Sequence, residues 1–301
     1  MRAVLLTGYG DVGKLELQDV PEPVAGPGEL KVRMLSSSVN PVDWKLRSGA
    51  YRQRTPLELP VILGRDASGE VVAVGEGSRG LQVGAKVIGL VDHAFAEYVV
   101  ASENAWAELP AELDPVDAGA LPLVVLTGAQ LIEEAVRPRP GEVVLVTGAV
   151  GSVGRAAVFA ARERGAEVIA AVRAQQREEA AKLKVDVVAL DDATELQRLP
   201  RLDAIADTVG GDALAKLIPK VKPGGTIGSV LGEPAGARER GLAVRAHFTH
   251  PDSKRLAALA RAAAEKRLAI PIARRMPLAE IRAAQTLAER GAGGKIVVRI
   301  G

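Results

Sequence analysis

The chain has 301 residues, 48% of them apolar, with 39 basic and 37 acidic side chains and a net charge of +2. That is ordinary globular usage over a length suited to two domains; it excludes a disordered chain and, with only two Trp, three Tyr and three Phe, gives no platform for nucleic-acid stacking. Cysteine is absent, which removes disulfides, thiolate nucleophiles, iron–sulfur clusters and cysteine-ligated zinc. The apolar run after Met1 is too short for a signal peptide, and Ala118 to Ile132 is interrupted by Pro122 and Thr127, so a soluble cytoplasmic protein without a membrane span is expected.

The first hundred residues read as short strands. Arg2–Thr7 is apolar, and Lys14–Val20 and Glu29–Leu35 alternate with period two on either side of a loop rich in Pro and Gly. Gly69–Val74 and Ala85–Leu90 are further strands, punctuated by glycines. This is the pattern of an irregular antiparallel β domain. Near Asp114 it changes. Val116–Ala135 reads as a helix broken at Pro122, Glu142–Thr147 as a strand, and Ser152–Arg164 as a helix closed by Gly165. Strands at Glu167–Val172, Val185–Leu190, Ala204–Thr208 and Thr226–Leu231 follow, with a helix at Gln175–Leu183. Apolar strands alternating with helices predict a parallel sheet covered on both faces. Helices at Asp252–Arg267 and Leu278–Arg290, an extended Ile270–Met276 and a last strand Lys295–Ile300 complete the chain.

The strongest motif is the run from Val143 to Gly154, an apolar strand that enters a glycine turn and opens a helix. Gly151 lets a pyrophosphate approach the backbone, the helix amides and dipole face its charge, and Gly154 lets helix and strand pack closely. The next strand ends in Arg173, with Arg177 four residues on and no carboxylate before Glu178. An acid there would bond a ribose 2′-hydroxyl; two guanidinium groups suit the 2′-phosphate of NADP instead. A P-loop-like Gly8–Leu15 is rejected, because Leu15 stands where a Ser or Thr would hold magnesium and a strand follows. His247 and His250 are read as a polar strand end rather than a metal site. Asn40-Pro41-Val42-Asp43 reads as a helix start, with Asn40 as N-cap, Pro41 at N1 and Asp43 at N3. The same turn presents Asn40, Asp43 and Lys45 as candidates beside a reacting carbonyl.

Together these motifs resemble the medium-chain dehydrogenase/reductase superfamily, and within it the zinc-free quinone oxidoreductases that include zeta-crystallin. The resemblance runs in order through Asn40-Pro41-Val42-Asp43-x-Lys45, Gly64-Arg65-Asp66-x-Ser68-Gly69, Phe95-Ala96-Glu97-Tyr98, Leu126-Thr127, the glycine turn, Asp207-Thr208-Val209-Gly210-Gly211, Lys222-Pro223-Gly224-Gly225 and Gly294-Lys295-Ile296-Val297. It implies an α/β architecture: a GroES-like β-barrel domain at 1–114, completed by 268–301, and a Rossmann doubly wound parallel sheet at 115–267. Zinc-dependent relatives carry a cysteine at the Asn40 turn and Gly-His-Glu at Gly64-Arg65-Asp66, so zinc chemistry is not expected. The resemblance places Val150, Gly151, Ser152 and Val153 at the pyrophosphate and Arg173 and Arg177 at the 2′-phosphate. It places Asp207, Thr208, Val209, Ser229, Val230 and Leu231 beside the nicotinamide, Thr127 beneath its ring, and Asn40, Asp43, Trp44 and Tyr51 at the substrate. The segment from Gly232 to His250 is short compared with relatives.

The expected function is NADPH-dependent reduction of a quinone, with Asn40 positioning the acceptor and Lys45 or Tyr51 as donor or relay. Reduction of an enone, alkenal or enoyl thioester is the alternative within the enzyme class, and a non-catalytic NADP-binding redox sensor the alternative outside it. A homodimer is expected, with the alternating Leu242–Phe248 as the edge that pairs.

Overall fold

The computed structural model describes residues 1–301. In chain order the first strands are β1 (Arg2–Leu6), β2 (Leu15–Asp19) and β3 (Glu29–Val39), followed by helix α1 (Pro41–Arg47). Then come β4 (Val61–Ile62), β5 (Asp66–Val74), β6 (Lys86–Leu90), β7 (Tyr98–Ser102) and β8 (Trp106–Glu108). Helices α2 (Pro115–Ala118) and α3 (Pro122–Gln130) lead through a π-helical turn at Leu131–Val136 to β9 (Val143–Thr147). Next are α4 (Ser152–Glu163), β10 (Glu167–Val172), α5 (Arg177–Ala181), β11 (Asp186–Ala189) and α6 (Ala193–Arg198). β12 (Leu202–Asp207), α7 (Gly211–Leu217), β13 (Val221–Ser229) and β14 (Ala243–Ala246) follow. α8 (Ser253–Ala264), β15 (Ile272–Pro277), α9 (Ile281–Glu289) and β16 (Lys295–Arg299) end the chain.

Two compact units result, Met1–Leu123 with Pro251–Gly301, and Val124–His250. In the first, β1 pairs antiparallel with β2 and β4, and a seven-stranded sheet runs β15-β16-β3-β5-β6-β8, with β7 added on β3. Leu30, Val32, Met34, Phe95, Trp106, Ile296 and Val298 fill its core. β16 pairs with the last residues of β3, Ile296 opposite Val39, so the chain's end lies against the residues that precede α1. This is the GroES-like β domain, built from both chain ends.

The second unit is a six-stranded parallel sheet in the order β11-β10-β9-β12-β13-β14. The order reverses at β9, where a Rossmann sheet places its ligand beyond the carboxyl ends of the strands. Leu145, Ile205, Leu214, Leu217 and Ile227 form its core. β14 and β11 are the outer strands of this sheet.

The unit boundaries differ from those read in the sequence. Residues 115–123 and 251–267 belong to the first unit, not the second. α8 is N-capped by Asp252, buries Leu256 and Leu259 and packs on β8. α2 is fastened to β3, where Ser36 Oγ donates to the Val116 carbonyl at 2.7 Å. Hydrophobic period reports that a helix is amphipathic; it does not say which sheet receives its apolar face.

Candidate active site

In the second unit, β9 ends at Thr147 and the chain turns through Gly148, at φ +62°, into α4, with Gly151 as its N-cap. Positive φ at Gly148 makes the turn possible. Gly154 is required by contact: a Cβ there would lie 2.2 Å from the Gly148 carbonyl oxygen. Gly151 is exposed, Val150, Ser152 and Val153 are half-buried, and no side chain caps α4, so its first amides have no acceptor of their own. The Gly151 amide is taken by the Gly148 carbonyl at 2.8 Å, but the amides of the first turn of α4 stand open at the positive end of a helix of 12 residues, which fits a pyrophosphate. Arg155 braces it from behind: this buried guanidinium donates to the Val150 carbonyl at 2.9 Å and pairs with Glu179. Sequence reasoning missed Arg155, because an arginine inside an amphipathic helix carries no pattern of its own.

Asp207 joins the carboxyl ends of three neighbouring strands. It is fully buried and its Oδ1 accepts from Thr147 Oγ at 2.9 Å and from the amides of Val209 and Gly210 at 3.2 and 2.9 Å. Its Oδ2 accepts from Ser229 Oγ at 2.8 Å. Thr208 Oγ donates to the Thr147 carbonyl at 2.7 Å, and Ser229 Oγ accepts from the Leu231 amide at 3.1 Å. Val209 and Leu231 are left 48% and 45% exposed, while Ser229 is buried and Val230 half-buried. The clamp thus fixes the backbone beside the glycine turn and presents two apolar side chains at the sheet end. Thr127, on α3, is 8% exposed and its Oγ is bonded to Thr249 Oγ at 2.7 Å.

Beyond β10, Arg173 is exposed and enters no ion pair. Arg177 does not share this freedom: it pairs with Glu195 at the start of α6. The two guanidinium groups expected to act together are thus unequal. A carboxylate also reaches this loop from beyond β11, where Asp191 Oδ1 accepts from the Ala174 amide at 2.8 Å. Searching for an acid only along β10 could not find it.

In the first unit Asn40 and Asp43 are both fully buried. Asn40 Nδ2 donates to Asp66 Oδ2 at 2.7 Å and to the Ser38 carbonyl at 3.2 Å, and Asn40 Oδ1 accepts from Lys295 Nζ at 2.5 Å. Asp43 Oδ2 accepts from the Asn40 amide at 2.7 Å, closing the start of α1. Its other oxygen has no partner. Burial pushes the Asp43 carboxyl up to about 7, against the lowering effect of the Asn40 amide; Asp66 adds to the rise, and Lys295 and Arg65 oppose it. Lys45, Tyr51 and Trp44 are half-buried on α1 and the turn after it. Lys45 Nζ lies 5.4 Å from the Tyr51 ring centre, with Arg54 over the same ring at 4.3 Å. Of the residues expected at the acceptor, Trp44, Lys45 and Tyr51 are the ones not fully buried.

No group of three or more His, Cys, Asp or Glu side chains is placed to hold a metal ion. His247 is buried, and burial depresses its imidazole below the usual histidine range. His250 bonds Glu134 at 3.0 Å.

Residues 26–111 match the alcohol dehydrogenase GroES-like domain and residues 165–298 the zinc-binding dehydrogenase domain. With this fold and these sites, the chain belongs to the medium-chain dehydrogenase/reductase family. A chloroplast envelope quinone oxidoreductase homolog of Arabidopsis thaliana is 33% identical over 198 residues, 62% of this chain and 60% of that protein. The chain spans about half to three-fifths of the length of the first curated relatives it matches. The quinone oxidoreductase of Coxiella burnetii superposes with a TM-score of 0.87 at 27% identity, covering 100% of this chain and 99% of that one. A mycobacterial protein solved in complex with NADPH superposes with a TM-score of 0.84 at 26% identity, covering 99% and 100%. The chain's residues do not fit the metal named in the second domain's description, since the donor set for zinc is missing. No helix is long and apolar enough to cross a membrane.

Proposed function

We propose that the protein is a zinc-independent, NADPH-dependent reductase of quinones. The observation that carries this reading is the bare glycine turn between β9 and α4, with an unpaired Arg173 beyond the adjacent β10. The turn at Val150, Gly151, Ser152 and Val153 would hold the pyrophosphate, with Gly151 giving room for its approach and the amides of Val150, Ser152 and Val153 donating, and Arg173 would hold the 2′-phosphate, through charge-assisted bonds. Arg177 contributes to that phosphate only at the expense of its pair with Glu195. Thr208, Val209, Ser229, Val230, Leu231 and Thr127 would line the nicotinamide. When bound, NADPH supplies the two reducing electrons and a hydrogen; the chain orients it and keeps the site dry. Negative charge developing on the acceptor oxygen needs a donor where it forms. Lys45 and Tyr51 can supply it, and the buried Asn40 and Asp43 hold the helix that carries Lys45.

Support for the quinone comes from the family likeness, which extends to enzymes with other acceptors. Reduction of an enone, alkenal or enoyl thioester by the same machinery is therefore the second reading. An NADP-binding redox sensor is the reading without catalysis. The protein would act on a small molecule as a homodimer, for which the outer strand β14 offers an edge that could pair with its copy. The deciding experiment measures NADPH and NADH oxidation side by side, with a small quinone and a small enone, in the presence of a chelator. Chelator-resistant turnover of NADPH with the quinone is expected. Faster turnover with the enone selects the second reading, and tight cofactor binding with no turnover selects the sensor.

A further inference from the structure

A buried ammonium lies beneath the helix that carries Lys45. Lys295, the first residue of β16, is 5% exposed. Its Nζ lies 2.5 Å from Asn40 Oδ1, 3.2 Å from the Val39 carbonyl and 3.3 Å from Asp66 Oδ2. Asp66 in turn accepts from Ser38 Oγ, from Asn40 Nδ2 at 2.7 Å and, through Oδ1, from the Leu123 amide at 2.6 Å. A lysine is costly to bury, and stays charged only where its protons meet well-placed oxygens. Here all three acceptors lie at the end of β3, at the N-cap of α1 and on the strand beside them. A fold that needed only to fill this space would do so with an apolar side chain at no such cost.

We propose that Lys295 is a positioning residue for the reductase: its ammonium fixes the Asn40 amide, and through the Asn40–Asp43 contact the first turn of α1, so that Lys45 is held where the acceptor is reduced. The inference rests on the reading of the chain as a reductase that uses Lys45. The Asn40 side chain joins β16 to the helix start: one end of its amide is held by Lys295 and the other by Asp66. The titratable and charged groups around Asp43 are Asp66 on β5, Lys295 on β16, and Arg65, which itself pairs with Asp92 at 3.0 Å. Lys295 favours the ionised Asp43, and the ionised carboxylate is the stronger acceptor for the Asn40 amide that closes the helix. Removing the cation therefore loosens the turn twice, by releasing Asn40 Oδ1 and by keeping Asp43 protonated to higher pH.

The test compares wild type, Lys295→Met and Lys295→Arg, each with NADPH and a quinone across pH 5 to 9, with folded protein quantified for each. Lys295→Met should lower kcat by about tenfold or more, the scale on which misplaced groups act. KM for NADPH should stay unchanged, because the cofactor turn lies in the other unit. The acid limb of the kcat profile should move to higher pH. Lys295→Arg keeps the charge, and with it the acid limb, but its planar fork cannot reproduce the point contact, so kcat should still fall. Full kcat in either variant, or an acid limb of Lys295→Met at the wild-type pH, overturns the proposal. Should Lys295→Met fail to fold, Lys295→Arg decides by its kcat alone. Absence of turnover in the wild type would instead remove the reductase reading. The infrared titration of the Asp43 carboxyl, higher in Lys295→Met than in wild type, would then still report whether the coupling exists.

Discussion

Replacing Asp43 with asparagine tests the energetics of the buried turn without removing a helix-start acceptor. In the folded protein the Asp43 carboxyl is pushed from 3.8 up to about 7. The folded state therefore holds the proton more tightly than the unfolded chain between these values, and stability falls as pH rises through that window. At ~1.4 kcal/mol per pH unit across the window, the loss is at most about 4 kcal/mol by pH 8, of which about 2 kcal/mol falls between pH 5 and pH 7. An asparagine side chain carries no charge at any pH, so the Asp43→Asn variant lacks this slope. The two proteins should be nearly equal in stability at pH 4, and the variant more stable at pH 8. Urea unfolding followed by Trp fluorescence is the assay, since both tryptophans, Trp44 and Trp106, lie in the first unit and report it alone. Midpoints that differ by a constant amount from pH 4 to pH 8 would refute the argument, because Asp43 would then titrate in the folded state as it does in the unfolded one.

Other perturbations follow from the second unit. Arg173→Glu replaces an unpaired cation with an anion and should weaken NADPH by about a hundredfold while leaving NADH within about threefold; equal losses in a fluorescence titration would remove Arg173 from the 2′-phosphate. Arg177→Ala should cost NADPH far less, because that guanidinium is already committed to Glu195. Gly154→Val puts a Cβ within 2.2 Å of the Gly148 carbonyl oxygen, so the turn must open and cofactor binding should be lost in calorimetry. Asp207→Ala strips the acceptor from two hydroxyls and two amides and should destabilise the second unit by about 3 kcal/mol or more, read by hydrogen exchange in β9 and β13. His247 is held below its ordinary range by burial, so its contribution is present above about pH 6.5 and lost as pH falls; His247→Gln should flatten that acid-side loss in a thermal scan.

The sequence alone determined those features that are local. The run from Val143 to Gly154 carries its own strand period, turn and helix start, and the structure places them as read. The alternation over Leu242–Phe248 marks a strand, which the structure forms over Ala243–Ala246. The helix break at Pro122 is real, because proline has no amide to continue the turn from α2 into α3. What spans the chain was decided only by the tertiary structure. Asn40 has the sequence signature of a cap, and nothing in that signature reveals that Lys295, 255 residues away, would take its carbonyl oxygen. Arg173 and Arg177 look alike in the sequence, and only the placement of Glu195 separates a free guanidinium from a paired one. The division between units falls within α3 and at His250–Pro251, not at the change of pattern near Asp114. In each case local propensity and spacing define the element, whereas burial, charge pairing and sheet membership depend on residues the chain brings together only on folding.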